Sequence, residues 1–491
     1  MDSFALVLHT HLPYVRRNGI SPCGEDFFHE AAFESWLPLL DVLERVPPST
    51  RLTIGVTPIL ANQWNDPYML KELRLYLGRV ELGALGIAAN RVELDSDAFR
   101  TAAADAALRS RRALARLDSL PGGIASGYAA LESAGIAQLI GGPATHPLLP
   151  MTGHSMQRAQ IALGAGEHTR IFGSRPAMMW LPECAYVPGS GVEAAFAAEG
   201  IRAFVVDEHM LGHRVAQHEG LAVAALDRTL VDAVWADGGY PGDAAYREFT
   251  GREYETGIKL FRVTAHDGWA TMKQPYDPVA ANRRVADHAA AFVDVIEKRF
   301  AETDPGGVLV AAFDTELFGH WWLEGPAFLG HVAAMLAMHP SIRMVTLEEA
   351  LSGGELPIAD VEEGSWGLEG DFRSWFTSET EDMWDDVQRT EKETARFLTR
   401  HEGSVADQLL REQLLLSSSD WTFGVGLDRN AQYCRERFAM HLERWERLAA
   451  VLQEKGDDAE AAGIFATDNP FPDVSAARSV IASSLPSFDP V

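Results

Sequence analysis

Cysteine is scarce in this chain, and no stretch of it has the features of a secretion or membrane signal. The 491 residues include three cysteines, Cys23, Cys184 and Cys434. An odd number without CxxC spacing indicates neither a disulfide framework nor a structural zinc site. The N-terminus lacks a basic region, and its apolar run is too short for a signal peptide or a spanning helix. We therefore expect reduced thiols and a cytoplasmic protein.

Positive charge is also in short supply. There are 42 Lys and Arg residues against 70 Asp and Glu, which gives a net charge of -28. This charge would repel polyphosphates and anionic membranes, so we expect neither a nucleic acid nor a membrane as partner. A neutral polymer remains acceptable. The content of 47% hydrophobic residues, 42 Gly and 25 Pro is ordinary for globular proteins.

Short apolar runs recur along the chain, and several of them end at polar residues. Helical patterns lie between these runs, which predicts a parallel sheet covered on both faces. Polar residues placed just after strands favour a barrel with its site at the C-terminal face. A doubly wound open sheet is the alternative, but no Gly-rich turn follows the first strand. The candidate strands are 4–8, 52–56, 137–140, 178–181, 203–206, 258–263, 308–313 and 343–346.

The alternation of short apolar runs with helical patterns ends near residue 365. Residues 379–401, 405–416 and 428–452 have the pattern of long amphipathic helices, which predicts a helical C-terminal domain near the barrel mouth. Residues 237–243 are dense in glycine and other turn formers, so we expect an exposed loop there.

Two carboxylates follow predicted buried strands, and each lies near tryptophan. Glu183 comes after Trp180 and Pro182, and Pro182 ends its strand because it has no N–H for a further ladder bond. Asp314 follows a second apolar run and precedes Trp322. A retaining glycosidase needs a nucleophilic carboxylate and a carboxyl group that serves first as acid and then as base. For either residue alone, an ion-paired carboxylate at a strand end is the alternative.

Three histidines also follow predicted strands, namely His9, His11 and His146. With an Asp or Glu they could hold a divalent metal, or they could hydrogen-bond to sugar hydroxyls. The residues alone leave both interpretations open.

Trp366, Trp375 and Trp384 lie at nine-residue intervals in an acidic segment. Core packing is the ordinary role of tryptophan. Their glycine, acidic and polar neighbours favour a surface that contacts substrate instead, since pyranose rings stack on aromatic faces.

Five stretches of the chain form an ordered set of motifs. They are Leu8-His9-Thr10-His11-Leu12-Pro13-Tyr14, Ala144-Thr145-His146, Trp180-Leu181-Pro182-Glu183-Cys184-Ala185-Tyr186, residues 313–322 from Phe313-Asp314 to Trp321-Trp322, and Ser365-Trp366-Gly367 with Trp375 and Trp384. In this order they resemble the signature regions of glycoside hydrolase family 57, most of all those of its 1,4-α-glucan branching enzymes. Ser418-Ser419-Asp420-Trp421 also resembles part of the branching enzymes' C-terminal helical domain.

The resemblance implies an α/β fold, a (β/α)7 barrel with an inserted helix-loop region and a C-terminal helical domain, and neither metal nor other cofactor. We expect the barrel in residues 1–186 and 251–364, the inserted region in 187–250, and the helical domain in 365–491.

The resemblance also implies roles for individual residues. Glu183 falls on the family nucleophile and Asp314 on the general acid/base, while Tyr240 falls on the tip of a mobile loop over the site. Phe261 stands where the family pattern has tryptophan, and 378–382 replaces an Asn-rich pattern, so acceptor binding and chain length are expected to differ. The remaining substrate-binding candidates are His9, His11, His146, Trp180, Trp322, Trp366, Trp375, Trp384 and Asp420.

We therefore expect a retaining α-glucan branching enzyme that works as a monomer on amylose or a glycogen-like polysaccharide. An amylase or a 4-α-glucanotransferase would use the same two carboxylates with a different acceptor. A metal-dependent polysaccharide deacetylase could instead use His9, His11 and His146. A catalytically silent glucan-binding protein is the remaining alternative, and the presence of both carboxylates argues against it.

Overall fold

The computed structural model describes residues 1–20, 23–90, 97–236, 238–264, 273–302, 306–454, 456 and 458–484. Its strands are β1 (Asp2–Thr10), β2 (Leu52–Val56), β3 (Ala137–Ile140), β4 (Ala203–Val206), β5 (Val215–His218), β6 (Leu221–Ala225), β7 (Val308–Asp314) and β8 (Ile342–Val345).

The α-helices before the C-terminal region are α1 (Glu25–Ala31), α2 (Leu37–Leu43), α3 (Pro58–Trp64), α4 (Pro67–Asn90), α5 (Asp97–Asp118), α6 (Ile124–Ser133), α7 (His154–Phe172), α8 (Val192–Ala198), α9 (Arg228–Trp235), α10 (Pro278–Ala301), α11 (Gly325–Ala337) and α12 (Leu347–Leu351). The C-terminal region contains α13 (Glu381–Leu398), α14 (Ser404–Leu416), α15 (Ser419–Gly426), α16 (Ala431–Glu454), α17 (Ala459–Phe465) and α18 (Ser475–Ser484).

The strands form a curled parallel sheet around β1. One edge of β1 pairs with β7, the other pairs with β2 and, in its first half, with β8, and β2 pairs with β3. Single bridges through residues 178–179 lead from β3 to β4, which pairs with β6. The N–H of Asp227, just after β6, donates to the carbonyl of Val310 on β7 at 2.8 Å. Seven strand positions thus follow one another around the curve, and the predicted (β/α)7 barrel is confirmed.

The two faces of β1 pack against different cores because successive side chains of a strand point to opposite sides. Phe4, Leu6 and Leu8 join the large cluster that includes α2, α4 and α5 on the outside. Ala5 and Val7 join a second cluster that Val310 and Ala312 of β7 share, together with Trp180 and residues of β4 and β6. Both faces are buried, which explains the continuous apolar runs in the sequence.

Two predicted strands are not regular strands. Residues 178–181 contribute only the single bridges described above, and the prediction for residues 258–263 is wrong. Residues 258–263 do not form a regular strand, since Phe261 and Arg262 make only isolated bridges, to Pro275 and Arg247. The apolar side chains of Ile258 and Leu260 are buried in the outer core. Hydrophobic burial against helices, rather than pairing with a neighbouring strand, therefore accounts for their spacing.

Residues 187–250 contribute β4, β5 and β6 in addition to helices α8 and α9. The β5–β6 hairpin was absent from the prediction, whereas β4 was predicted. The division of the chain into domains at residues 187 and 250 stays a prediction.

The C-terminal helices pack directly on the barrel. Leu410 and Leu414 of α14 share a core cluster with Ala144, Met156 and Tyr14. The bounds of helices α13, α14 and α16 agree to within a few residues with the three predicted helical stretches, 379–401, 405–416 and 428–452. In the described parts of the chain, every helix is too short or too polar to cross a bilayer.

Candidate active site

Glu183 lies at the mouth of the barrel in a single 3-10 turn, Pro182–Cys184, which follows residues 178–180. The backbone φ is +61° at Glu183 and +49° at Cys184. Such left-handed conformations cost non-glycine residues about 1–3 kcal/mol and cluster at functional sites. The backbone N–H of Trp366 donates to the Glu183 carbonyl at 2.9 Å, so a second chain segment holds this turn in place.

The carboxylate of Glu183 accepts hydrogen bonds from two directions. The indole N–H of Trp366 donates to Oε2 at 2.9 Å, and the hydroxyl of Ser419 donates to Oε1 at 3.4 Å. Nδ1 of His146 lies 3.7 Å from Oε1. Burial raises the pKa of Glu183 to about 7 against the effect of the Trp366 bond, and the nearby Asp314 adds to the rise.

Asp314 is the last residue of β7 and pairs in register with His9 of β1. Burial raises its pKa to about 6. Two neighbouring carboxyls in a buried site do not both ionise readily, so one of them keeps a proton near neutral pH. The pKa of Glu183, about 7, is higher than that of Asp314, about 6, so either carboxyl can hold the proton. The donors aimed at Glu183 stabilise the arrangement in which Glu183 is the anion.

The three predicted histidines come together beside Glu183. The Nε2 atoms of His9 and His146 are 3.1 Å apart, and the rings of His11 and His146 stack at 3.9 Å. Burial lowers the pKa of both His9 and His146 well below the usual range, so both are neutral. His11 bonds to Thr57 through Nδ1 and to Asp420 through Nε2, each at 3.0 Å.

Asp420 joins this group from α15. Burial opposes its charge, but the charge and hydrogen bond of His11 and the bond from Ser418 outweigh burial and bring the pKa of Asp420 to about 2. The Asp420 carboxylate is 22% exposed as a side chain. It therefore stays ionised and can accept hydrogen bonds from a polyhydroxyl ligand.

His11, His146 and Asp420 are close enough for one atom from each to ligate a single ion. However, both ring nitrogens of His11 and both of His146 already have polar partners among Thr57, Asp420, His9 and Ser419. A metal ligand needs a free lone pair directed at the ion, so this arrangement argues against a metal held by these two histidines.

Two predicted tryptophans reach the site. The Trp180 ring stacks on His9 with the centroids 4.7 Å apart and lies 4.9 Å from the Trp366 ring. Trp366 is only partly buried and bonds Glu183 directly. Trp180 is fully buried in this contact, so Trp366 is the ring of the pair that can present a face beside the nucleophile candidate, and the substrate contact of both rings stays a prediction.

Trp322 and Phe261 do not reach the carboxylates. Trp322 is fully buried, 4.9 Å from the ring of Phe328 on α11, and Phe261 is buried against Phe99 of α5. A fully buried ring presents no face to a glucan, so the expected substrate contact of Trp322 is corrected to a packing role. The same physical reason applies to Phe261.

Trp375 and Trp384 pack in the segment that follows Trp366. Trp375 is fully buried, and its ring lies against Gly367, next to Trp366. Trp384 donates its indole N–H to the Trp375 carbonyl at 2.9 Å and stacks on Phe376 at 4.6 Å. Phe376 is 39% exposed, so the aromatic face available to a ligand here belongs to Phe376, which the sequence did not indicate.

Tyr240 is held on the outer side of the barrel. Its ring stacks on His288 of α10 at 4.6 Å and lies 5.8 Å from Phe328 of α11. The structure therefore does not bring Tyr240 over Glu183 and Asp314. A lid role would require the ring to leave this packing.

Ser419 and Glu316 are the polar residues that sequence reasoning missed. Ser419 precedes Asp420 in the Ser418–Trp421 stretch, of which only Asp420 is predicted to bind substrate. Glu316 follows Asp314 by two positions, and its Oε1 accepts the indole N–H of Trp36 at 2.7 Å. Burial raises the pKa of Glu316 to about 8, with Asp314 adding to the rise, so Glu316 is protonated near neutral pH.

Two carboxyls at the C-terminal ends of barrel strands, with histidines and tryptophans around them, are typical of a glycoside hydrolase. The sequence profile described as Glycosyl hydrolase family 57 matches residues 5–361. A second profile, described as 1,4-alpha-glucan branching enzyme, C-terminal, matches residues 377–478. The chain belongs to glycoside hydrolase family 57, and the predicted family is confirmed.

The chain is similar to several known proteins along most of its length. It is 33% identical to a 1,4-alpha-glucan branching enzyme of Thermococcus kodakarensis, covering 91% of this chain and 73% of that protein. It is 34% identical to a probable 1,4-alpha-glucan branching enzyme of Mycobacterium tuberculosis, covering 91% and 92%. The crystal structure of the branching enzyme of Pyrococcus horikoshii superposes with a TM-score of 0.90 at 31% identity, covering 97% of this chain and 96% of that one.

Proposed function

We propose that this chain is a retaining 1,4-α-glucan branching enzyme. The observation that carries the proposal is the Glu183–Asp314 pair, two buried carboxyls with raised pKa values, in which hydrogen-bond donors converge on Glu183. The match of residues 377–478 to the branching-enzyme C-terminal profile supports the same activity. So do the names of the relatives at 33% and 34% identity.

In the proposed mechanism, Glu183 attacks the anomeric carbon of an α-1,4 bond. Asp314 gives its proton to the leaving oxygen, and a glycosyl-enzyme forms. Asp314 then takes the proton of a C6 hydroxyl on an acceptor glucan, and that oxygen displaces Glu183. Two inversions give an α-1,6 branch with retained configuration.

The C-terminal helical region completes the binding site. Asp420 and His11 form a hydrogen-bonded rim whose Asp420 carboxylate can accept hydrogen bonds from glucose hydroxyls, and the partly buried Trp366 provides an apolar face for a sugar ring. We further propose that the substrate is an α-glucan and that the protein is a cytoplasmic monomer. We also propose that the barrel, the inserted region and the helical domain are divided at residues 186, 250 and 364.

An α-amylase is the second candidate, and one observation favours it. The alpha-amylase AmyC of Thermotoga maritima superposes with a TM-score of 0.86 at 26% identity, covering 98% of this chain and 99% of that one. An amylase would use Glu183 and Asp314 in the same way, but water would accept the glycosyl group.

Incubation with amylose separates the two activities. The branching enzyme should produce new α-1,6 signals in the proton NMR spectrum, with few new reducing ends. The Glu183→Gln variant serves as the control and should give neither product. New reducing ends without α-1,6 signals would show that the enzyme hydrolyses amylose and would overturn the branching proposal. In a separate assay, release of acetate from an acetylated polysaccharide would favour the deacetylase alternative.

A further inference from the structure

We propose that Ser419 is a positioning residue for the nucleophile: it orients Glu183 and favours its ionised form through a directed hydrogen-bond chain from His9 and His146. This inference rests on the proposed role of Glu183. Ser419 belongs to the C-terminal helical region, so that region would act on the chemistry of the barrel as well as on substrate binding.

The backbone places Ser419 firmly against the barrel. Its N–H donates to the carbonyl of His146 at 3.1 Å, and Ser418 forms an antiparallel bridge with Pro147. The hydroxyl of Thr145 donates to the carbonyl of Leu414 in α14. His146 has a φ of +59°, a conformation that persists only where surrounding contacts impose it.

The side chain of Ser419 is fully buried between two partners. Its Oγ lies 3.0 Å from Nδ1 of His146 and 3.4 Å from Oε1 of Glu183. A hydroxyl has a single proton to donate and lone pairs to accept with. When it donates to ionised Glu183, it must therefore accept from the Nδ1–H of His146.

This choice fixes the rest of the chain. Neutral His146 with a proton on Nδ1 has a lone pair on Nε2, which accepts from the Nε2–H of His9 at 3.1 Å. His9 then has a bare lone pair on Nδ1, a buried atom without a hydrogen-bond partner among the described residues. All three bonds point toward Glu183.

The opposite direction is less favourable. If Glu183 were protonated and donated to Ser419, each bond would reverse and His9 would carry a proton on Nδ1. That proton would be a buried donor without a partner among the residues described, and orphaned buried N–H groups are rarer than under-satisfied acceptors. The chain thus links the tautomer of His9 to the charge of Glu183 and favours the anion.

Other charged and polar groups also act on Glu183, so the effect of Ser419 must be separated from theirs. The groups that face Glu183 are Asp314 on β7, Asp420 on α15, His11 after β1, His146 after β3 and the indole of Trp366.

The test uses the Ser419→Ala variant with α-maltosyl fluoride, whose fluoride leaves without help from an acid. Loss of a hydrogen bond to ionised Glu183 should shift the acidic limb of the kcat/KM profile to higher pH by about one unit. The rate of the initial fluoride burst, which reports formation of the glycosyl-enzyme, should fall about 10- to 100-fold. Ser419→Thr restores a hydroxyl and should return the limb toward its original position.

Ser417→Ala is the matched control. Ser417 is a buried serine of the same corner whose hydroxyl bonds to Gln413. Its loss should lower stability and leave the pH profile unchanged. If the Ser419→Ala variant does not fold, Ser419→Cys, whose thiol is a weak donor, should shift the limb in the same direction by less.

A second measurement reports directly which ring nitrogens are protonated in the hydrogen-bond chain of His9, His146 and Ser419. Nitrogen-15 NMR of the ring nitrogens should show His146 protonated on Nδ1 and His9 on Nε2. An unshifted acidic limb in Ser419→Ala or Ser419→Cys, or His146 protonated on Nε2, would overturn the inference. Fluoride leaves as the glycosyl-enzyme forms, before any acceptor reacts, so a failure to form α-1,6 bonds would count against branching and not against Ser419.

Discussion

At the scale of single residues, the two carboxyls should differ in what they do to a substrate with an activated leaving group. Asp314→Asn removes the proton donor and should slow amylose cleavage about 10²- to 10⁴-fold, yet form the glycosyl-enzyme readily from α-maltosyl fluoride. Glu183→Gln removes the nucleophile and should abolish both reactions. The measurement is the burst of fluoride. A burst from Glu183→Gln and none from Asp314→Asn would exchange the two roles.

For Tyr240, the family resemblance and the structure predict different results of the same substitution. Its ring packs on His288 and near Phe328, so Tyr240→Ala should lower the melting temperature through lost packing. We expect the ratio of reducing ends to α-1,6 linkages to stay as in wild type, with Tyr240→Phe as the control that keeps the ring. A ratio that rises in Tyr240→Ala alone would restore the predicted lid role.

The catalytic candidates could be predicted because their signal is local. Glu183, Asp314 and the three histidines each follow an apolar run, and the ends of parallel strands meet at one edge of a barrel. The exposure of an aromatic ring is not local. Trp375 is buried and its neighbour Phe376 is exposed because helix α15, with Phe423, covers one ring and leaves the other open, and nothing in residues 365–384 shows this.

At the scale of elements, helix α7 must approach the loop that carries His146 very closely. A Cβ on Gly164 would overlap the carbonyl oxygen of Gly142, whereas a Cβ on Gly166 would meet nothing within 4 Å. Gly164→Ala should therefore destabilise the protein by about 1–3 kcal/mol and reduce activity by moving His146. Gly166→Ala is the control and should stabilise by about 0.5–1 kcal/mol. Denaturant unfolding measures both, and equal effects would contradict the packing of α7.

The strands of the barrel were predictable where pairing is parallel and buried, as in β1 and β7. The β5–β6 hairpin was not, because its turn gives no strong signal. Glu219 and Gly220 both have positive φ, +47° and +84°, as a two-residue hairpin turn requires. Asparagine or aspartate usually occupies the first of these positions, and glutamate does so rarely.

At the scale of the whole molecule, stability should depend on pH through Glu391. This side chain of α13 is buried, its Oε2 accepts the N–H of Gly153 at 3.0 Å, and burial raises its pKa to about 7 from 4.5. The folded state thus binds a proton that the unfolded state releases, and stability falls as pH rises from about 4.5 to 7. Glu391→Gln should be up to about 3 kcal/mol more stable than wild type at pH 8 and similar at pH 4.5.

Glu393→Gln, on the same helix and partly exposed, provides the control for removing one negative charge. Melting temperatures at pH 4.5, 6 and 8 give the comparison. Equal gains in the two variants would mean that the effect comes from net charge, which is already -28, and not from the buried carboxyl.

The pairing of His11 with Asp420 joins residues 409 positions apart. A ribosome completes β8 long before it adds α15, an interval of roughly 4–15 s at about 5–20 residues per second. During that interval a nascent chain can already hold both carboxyls while it still lacks Ser419 and Asp420. Newly made chains are therefore expected to remain inert toward glucan until translation is almost finished, and their activity should appear as a late, single event.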